Sequence, residues 1–411
     1  MRIDRNVCPL LIAAIAVMFL ASCGSGSDAV PPRTGGDIQQ GTVPPGDPGL
    51  LARLLGDAEA GNTVAIPAGV YYETLTITKP LTVKPEDGAT VIFDGECKRD
   101  NGVRIPTGSD ITVSGIQVRN TVGAGVYIGN GDPADPLAEN ITIELMHINH
   151  FNCRDEEIPA YAGVSVWFAG CCMNITNNSI DYRDFSEPEH GFGNGIWFKS
   201  NEEVPSGGGH LISGNQITGG WDGIGGESEG DPHGTFDRDT IVEGNTITGC
   251  WDDGVQVEGG NTNVVVRDNS VKGCGTGIAA APTLVGPLYI ENNTIRDLVV
   301  GRYENQSCFK LGYDGAGTIF FTDNTCITQG EGFSQSNSGV NAIVTDGNCI
   351  VVTGYAIQIG DVLPDGSSLQ GDTLSSAGDL IHFEGTTYET LAQFQDATGH
   401  ETDGVESDAC A

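Results

Sequence analysis

The chain has 411 residues, 60 of them Gly, about twice the usual share, and only 18% are charged. Its 19 Lys and Arg against 55 Asp and Glu give a formal charge of −36, spread along the chain, which repels DNA and RNA and leaves nucleic-acid binding without a basis. The composition excludes coiled coils and helical bundles, the glycines lack the period of three of collagen, and dense short runs of Val and Ile exclude a disordered chain.

Arg2 and Arg5 precede an apolar run from Cys8 to Leu20. That length suits a signal-peptide core and is short for a bilayer span. The run ends in Leu20-Ala21-Ser22-Cys23-Gly24, which resembles the lipobox of bacterial lipoproteins. The resemblance implies that residues 1–22 are a signal peptide, that Cys23 carries the lipid, and that the protein meets the membrane through this anchor. With Gly24 next rather than Asp, it implies an outer-membrane or cell-surface location, a periplasm-facing one being the other option. Residues 23–46 are rich in Gly, Pro and Ser and read as a flexible tether.

A repeat follows. An apolar alternation, a Gly-Asn or polar step and a further apolar residue recur in Ile111–Val118, Ile141–Ile148, Asn174–Ile180, Leu211–Ile217 and Ile241–Ile247. Further copies end at Val271, Ile295, Cys326 and Cys349, and the spacing has a floor near 24 residues with insertions above it. A second short phrase follows many copies, as in Gly125–Ile128, Gly163–Val166, Gly195–Phe198, Gly254–Val257 and Tyr355–Ile359. Two or three strands per turn, joined at Gly, Asn and Asp corners, describe a parallel β-solenoid whose coils stack at about 4.8 Å. The Asn before the final apolar residue suits tight corners by left-handed geometry and local hydrogen bonding.

Asp47-Pro48 opens a predicted helix with Leu51, Leu54, Leu55 and Ala58 on one stripe, and strands are expected around 64–66, 75–77, 81–83 and 91–93. This order, then Asn-rich coils, then TYETLAQFQDATGHE with Leu391 and Phe394 as a closing helix, resembles right-handed parallel β-helix proteins of the pectate-lyase-like type. The resemblance implies an all-β, right-handed parallel β-helix solenoid over residues 47–400 with short capping helices at both ends, leaving 401–411 as an acidic tail. It implies little about chemistry, because this architecture hosts many activities. The WIDH- and RxPxxR-type segments of pectate lyases are missing, and of the polygalacturonase blocks only Asp252-Asp253 has a counterpart. WDDGVQVEGGNTNVVVRDN is similar to a phrase of bacterial surface β-helix proteins of undefined activity.

Removing Cys8 and Cys23 leaves ten of the 12 cysteines, an even number that suits disulfides in an exported protein. Cys250 and Cys274 each lie three places after an equivalent apolar residue, so stacking predicts a disulfide. Cys326 and Cys349 occupy the equivalent positions themselves and are expected to stack one coil apart, as a disulfide or as two buried thiols. No CxxC or His pair has zinc-ligand spacing.

The longest insertions fall between Ile148 and Ile247, and the four tryptophans 167, 197, 221 and 251 lie in or just beyond that window. Trp221-Asp222-Gly223 and Trp251-Asp252-Asp253-Gly254 each start four residues after their reference Ile, so stacking predicts an aromatic pair and a carboxylate pair one coil apart. Alternation aims Trp197, Lys199, Gln256 and Glu258 outward. The loop from Glu227 to Arg238 adds Glu229, Asp231, His233 and Asp237. Catalytic candidates are Asp222, Asp252, Asp253 and Lys199; binding candidates are Trp197, Trp221, Trp251, Gln256 and Glu258. In a glycoside hydrolase two carboxylates would act as acid and base or nucleophile. In a polysaccharide lyase the clustered Asp would hold Ca²⁺ against a uronate while Lys199, His233 or Arg238 moves the proton. The bland alternative is a corner, with Asp capping, Gly turning and Trp shielding the coil edge. The leading expectation is recognition of a polysaccharide along this Trp/Asp face, with cleavage as the further step and Ca²⁺ as the candidate ion. The alternative is a non-catalytic protein of surface adhesion or envelope structure.

Overall fold

A computed structural model describes residues 43–410 apart from 131–135, 155–157, 159, 183–192, 227–229 and 302–305. The expectations for the signal peptide, for Cys23 and for Glu227 and Glu229 therefore lie outside the described residues. Each coil contributes one strand to each of three sheets, and every third strand in the chain is a neighbour in the same sheet. The first sheet, of 12 strands, runs from Thr63–Ile66 to Ser368–Gln370; the second and third have 13 strands each. Pairing is parallel throughout except where the last strand of the third sheet, Thr386–Tyr388, folds back on Ile381–Phe383.

The equivalent positions are in register: Val118, Ile148, Ile180, Ile217, Ile247, Val271, Ile295 and Cys326 follow one another rung by rung in the second sheet. The next rung is Ile350, not Cys349. Inward residues are β-branched or aromatic and fully buried, as in Ile175, Ile212, Val242, Val266, Ile290 and Phe321 of the first sheet. Stacking like on like lets each coil bury the face it cannot cover alone.

The corner between the first and second sheets holds a buried asparagine ladder: Asn178, Asn215, Asn245, Asn269, Asn293, Asn324 and Asn348. The backbone N–H and Nδ2 of Asn245 both donate to Asn269 Oδ1 (3.0 and 2.9 Å), and Nδ2 also donates to Ile212 O (2.9 Å). The asparagines thus bond from coil to coil, whereas the sequence suggested bonds within each corner. Left-handed backbone occurs one residue earlier, at Asn177, Asp268, Asn292 and Asp323. The entrance to the third sheet is equally tight. A Cβ added to Gly254 would lie 2.4 Å from Val271 Cγ1 and 2.7 Å from Gly277 O.

The ends are capped as expected, with changes in detail. The first helix, Leu50–Asp57, starts after Gly49 (φ 76°) rather than at Pro48, and it buries Leu51. The second, Leu391–Thr398, buries Leu391 and Phe394, takes an N-cap bond from Gln393 N–H to Thr390 Oγ1, and stops at left-handed Gly399. Of the expected acidic tail 401–411, residues 401–410 are described, and they join the fold. Glu401 is fully buried, Val405–Glu406 extends the second sheet, and Cys410 is bonded to Cys349.

Among the described residues five disulfides join Cys97–Cys153, Cys171–Cys172, Cys250–Cys274, Cys308–Cys326 and Cys349–Cys410. Cys250 and Cys274 bond across neighbouring coils, as their register requires. The expected stacking of Cys326 on Cys349 does not occur. Cys349 precedes the inward Ile350 and is level with Thr325, so it turns away from Cys326 and meets the C-terminus. Cys326 points inward and bonds Cys308, which stands one coil after Gly277 at the tight entrance to the third sheet.

Candidate functional site

The third sheet carries the chemistry on its outward side. Its outward ladder runs Arg104, Tyr127, Ser165, Trp197 and Gly225, then Gln256, Ala279, Lys310, Ser334, Gln358 and His382. Two small residues open gaps in it. Gly225 leaves room for the Trp197 ring, since a Cβ there would lie 3.1 Å from Trp197 Cζ3 and 2.9 Å from Gln256 Cβ. Ala279 leaves the Lys310 side chain free to reach back across its coil.

At the start of these strands Ile224 is level with Val255, which sets Asp222 against Asp253 and Trp221 against Asp252. The expected pairing of Asp222 with Asp252 is therefore off by one residue, because the second copy carries an extra Asp. Asp253 N–H donates to Asp222 Oδ1 (2.9 Å), Asp222 N–H donates to Asn194 Oδ1 (3.1 Å), and Trp221 Nε1 donates to Asp252 Oδ2 (3.2 Å). One carboxylate oxygen from each of Asp222, Asp252 and Asp253 lies within 4.8 Å of the others. The Trp221 and Trp251 rings meet edge to face with centroids 5.1 Å apart.

Lys310 sits among these acids. Its Nζ is 3.2 Å from Asp253 Oδ2 and 3.1 Å from Glu258 Oε1, and Gln256 Nε2 donates to Glu258 Oε2 (3.2 Å). Burial alone would pull the Lys310 pKa down, but Asp253, Glu258 and Asp252 carry it well above the ordinary lysine value, so it is an ammonium. Burial, with the charges of Asp253 and Asp252, pushes the Asp222 carboxyl well above the usual range. Asp222 and Asp253 are 4% and 1% exposed. Asp253 Oδ1 is buried without a hydrogen-bond partner among the described residues, as are Ser165 Oγ, Trp197 Nε1 and Gln256 Oε1 on the same side of this sheet. Native interiors rarely leave such atoms unpaired, and a cluster of them points to a ligand, ion or water.

The sequence candidates divide clearly. Asp222, Asp252, Asp253, Trp221, Trp251, Gln256 and Glu258 converge on this centre. Trp197 lies beside it across Gly225, almost fully buried. Lys199 ends the strand Asn194–Lys199 level with Trp167, and the ammonium that reaches the carboxylates is that of Lys310 instead. His233 and Arg238 both engage Asp237 (3.0 and 3.4 Å). Lys310 was missed because 57 residues separate it from Asp253. Its register with Ala279 and Gln256 was the available signal.

Residues 98–311, just over half of the chain, match the family described as right handed beta helix region. The chain belongs to the right-handed β-helix family. No curated protein matches this β-helix in sequence. Among solved structures, it is similar to a mutant tailspike of Escherichia coli bacteriophage HK620 in complex with a pentasaccharide, at 13% identity and a TM-score of 0.51. That likeness covers 85% of this chain and 77% of the tailspike. It is also similar to a PL6 alginate lyase bound to a trisaccharide (14% identity, 90% and 95% of the two chains, TM-score 0.49). The surface adhesin PfbA of Streptococcus pneumoniae is a third (12%, 74% and 86%, 0.46). At these identities the likeness is one of fold.

Proposed function

We propose that this protein binds and cleaves a polysaccharide along the outward side of its third sheet, assisted by a divalent cation held by Asp222, Asp252 and Asp253. The observation that carries the reading is the buried Asp253 Oδ1, unpartnered among the described residues, which faces two further carboxylates beside a buried ammonium. A hard cation with oxygen ligands, Ca²⁺ foremost, matches three convergent carboxylates. Bound there, it would neutralise an acidic sugar group. Asp253 pairs with Lys310, and the partly exposed Trp221 and Trp251 offer apolar surface to sugar rings. A β-helix tailspike that holds a pentasaccharide is in keeping with this reading.

The burial of Asp222 and Asp253 favours a second reading, a non-catalytic protein of adhesion or envelope structure in which the ion only ties neighbouring coils together. A polysaccharide panel separates the two, read by affinity, by new reducing ends and by absorbance at about 235 nm, where the unsaturated product of β-elimination absorbs. Turnover in the native protein, lost in Asp253→Asn, supports the enzyme. Binding without turnover supports the adhesin, and no binding to any polymer removes the enzyme and the glycan-binding adhesin and leaves envelope structure. Millimolar Ca²⁺ is expected to raise the melting temperature of the native protein and leave that of Asp253→Asn unchanged.

The reading includes export and lipid attachment at Cys23, supported by the sequence alone. In a bacterial host, radiolabelled palmitate should enter the native protein and not Cys23→Ser; equal labelling of both would remove the anchor.

A further inference from the structure

A cavity of about 390 Å³ lies on the loops that leave the third sheet, lined by Gly230, Pro282, Leu284, Tyr313 and Asp314. It lies just beyond the site in the chain. Strand Ser307–Leu311, which carries Lys310, leads through Gly312 into Tyr313, and strand Thr276–Ala279 leads into Pro282 and Leu284. We propose that this cavity is a second glycan subsite that takes one pyranose ring without a carboxylate, stacked on Tyr313 and hydrogen-bonded to Asp314.

Four observations carry this. The volume falls in the range of small-molecule pockets, which are mostly apolar with a few placed polar groups. Tyr313 is 45% exposed in a chain whose large apolar side chains are mostly buried, and an aromatic face beside a carboxylate matches the apolar face and hydroxyl edge of a sugar. Tyr313 also holds a left-handed φ of 65°, rare for an aromatic residue, with its N–H donating to Ser338 O (3.1 Å). The walls are preformed. Leu284 N–H donates to Gly259 O (2.8 Å), and buried Asn341 clamps neighbouring loops by donating from Nδ2 to Thr283 O (2.7 Å) and Gly317 O (2.8 Å). The Asp314 carboxylate sets the specificity, because it repels a uronate and accepts from neutral hydroxyls.

The subsite rests on the glycan reading for the polymer it would extend, and the test keeps the two apart. Saturation-transfer NMR is run with the methyl glycosides of glucose, galactose, N-acetylglucosamine and glucuronic acid. Transfer to at least one neutral glycoside is expected in the native protein and in Asp253→Asn. It should fall several-fold in Tyr313→Ala and in Leu284→Glu, which fills the cavity from a second wall, and glucuronide should give the weakest signal. Undiminished transfer in both cavity variants, or none to any neutral glycoside in the native protein, overturns the subsite. Transfer that depends on Tyr313 in a protein that binds no polysaccharide leaves the subsite standing and removes the wider function.

Discussion

Lys310→Met is expected to destabilise the protein by about 3–5 kcal/mol, the usual consequence of removing one partner from a buried ion pair. Lys310 is 18% exposed, and its partners Asp253 and Glu258 are 1% and 2% exposed, so water cannot replace the ammonium. Two buried carboxylates would then face each other, beside a third at Asp252. Neutralising them in the same chain, Lys310→Met with Asp253→Asn and Glu258→Gln, should recover most of the loss, because the penalty belongs to unpaired charge rather than to lost packing. Chemical unfolding of the native protein and these two variants checks this. A loss below about 1 kcal/mol in Lys310→Met would mean that the ammonium is hydrated like a surface pair.

Glu401→Gln is expected to flatten the dependence of stability on pH. The asparagine ladder ends at Asp372, whose Oδ1 accepts from Asn348 N–H (2.8 Å) and Nδ2 (2.9 Å) and whose N–H donates to Glu401 Oε2 (3.0 Å). Burial, then the Asp372 charge, pushes the Glu401 pKa up to about 9, and burial also raises that of Asp372. The folded pair therefore keeps a proton that the unfolded chain releases at ordinary carboxylate pH. Its contribution is complete below about pH 4.5, declines as pH rises, and is gone above about 9. Across that window stability should fall by on the order of 3–6 kcal/mol. Gln at 401 donates to Asp372 without needing a proton, so its unfolding free energy should vary little there and exceed that of the native protein at pH 8. Parallel pH profiles for the two proteins would show that the pair is hydrated.

The coils were legible because their cause is local and repeated: a β-branched residue every 24 or so positions must face inward, and the floor in spacing is the circumference. Cys250 and Cys274 could be paired from that spacing alone. The errors are one-residue errors of register, the first from an inserted Asp and the second in a coil of regular 24-residue length. WDG against WDDG moved Asp222 from Asp252 to Asp253, and Cys349 lies one place before the inward residue of its coil. Cys308–Cys326 was readable in principle. Other coils set Gly against a β-branched residue at that contact, as Gly254 against Val271, and here both members are Cys. Lys310 and Glu401 were missed for a different reason. Each is a single charged residue whose meaning comes from coils or a cap distant in sequence, and neither has a motif around it.

Terbium luminescence tests the cation-assisted site most directly, since Tb³⁺ occupies Ca²⁺ sites and emits when a nearby indole is excited. With Trp221 donating to Asp252 and packed on Trp251, the account predicts indole-sensitised emission that Ca²⁺ displaces and that Asp253→Asn abolishes. Emission that is absent, or equal in the native protein and Asp253→Asn, would contradict it.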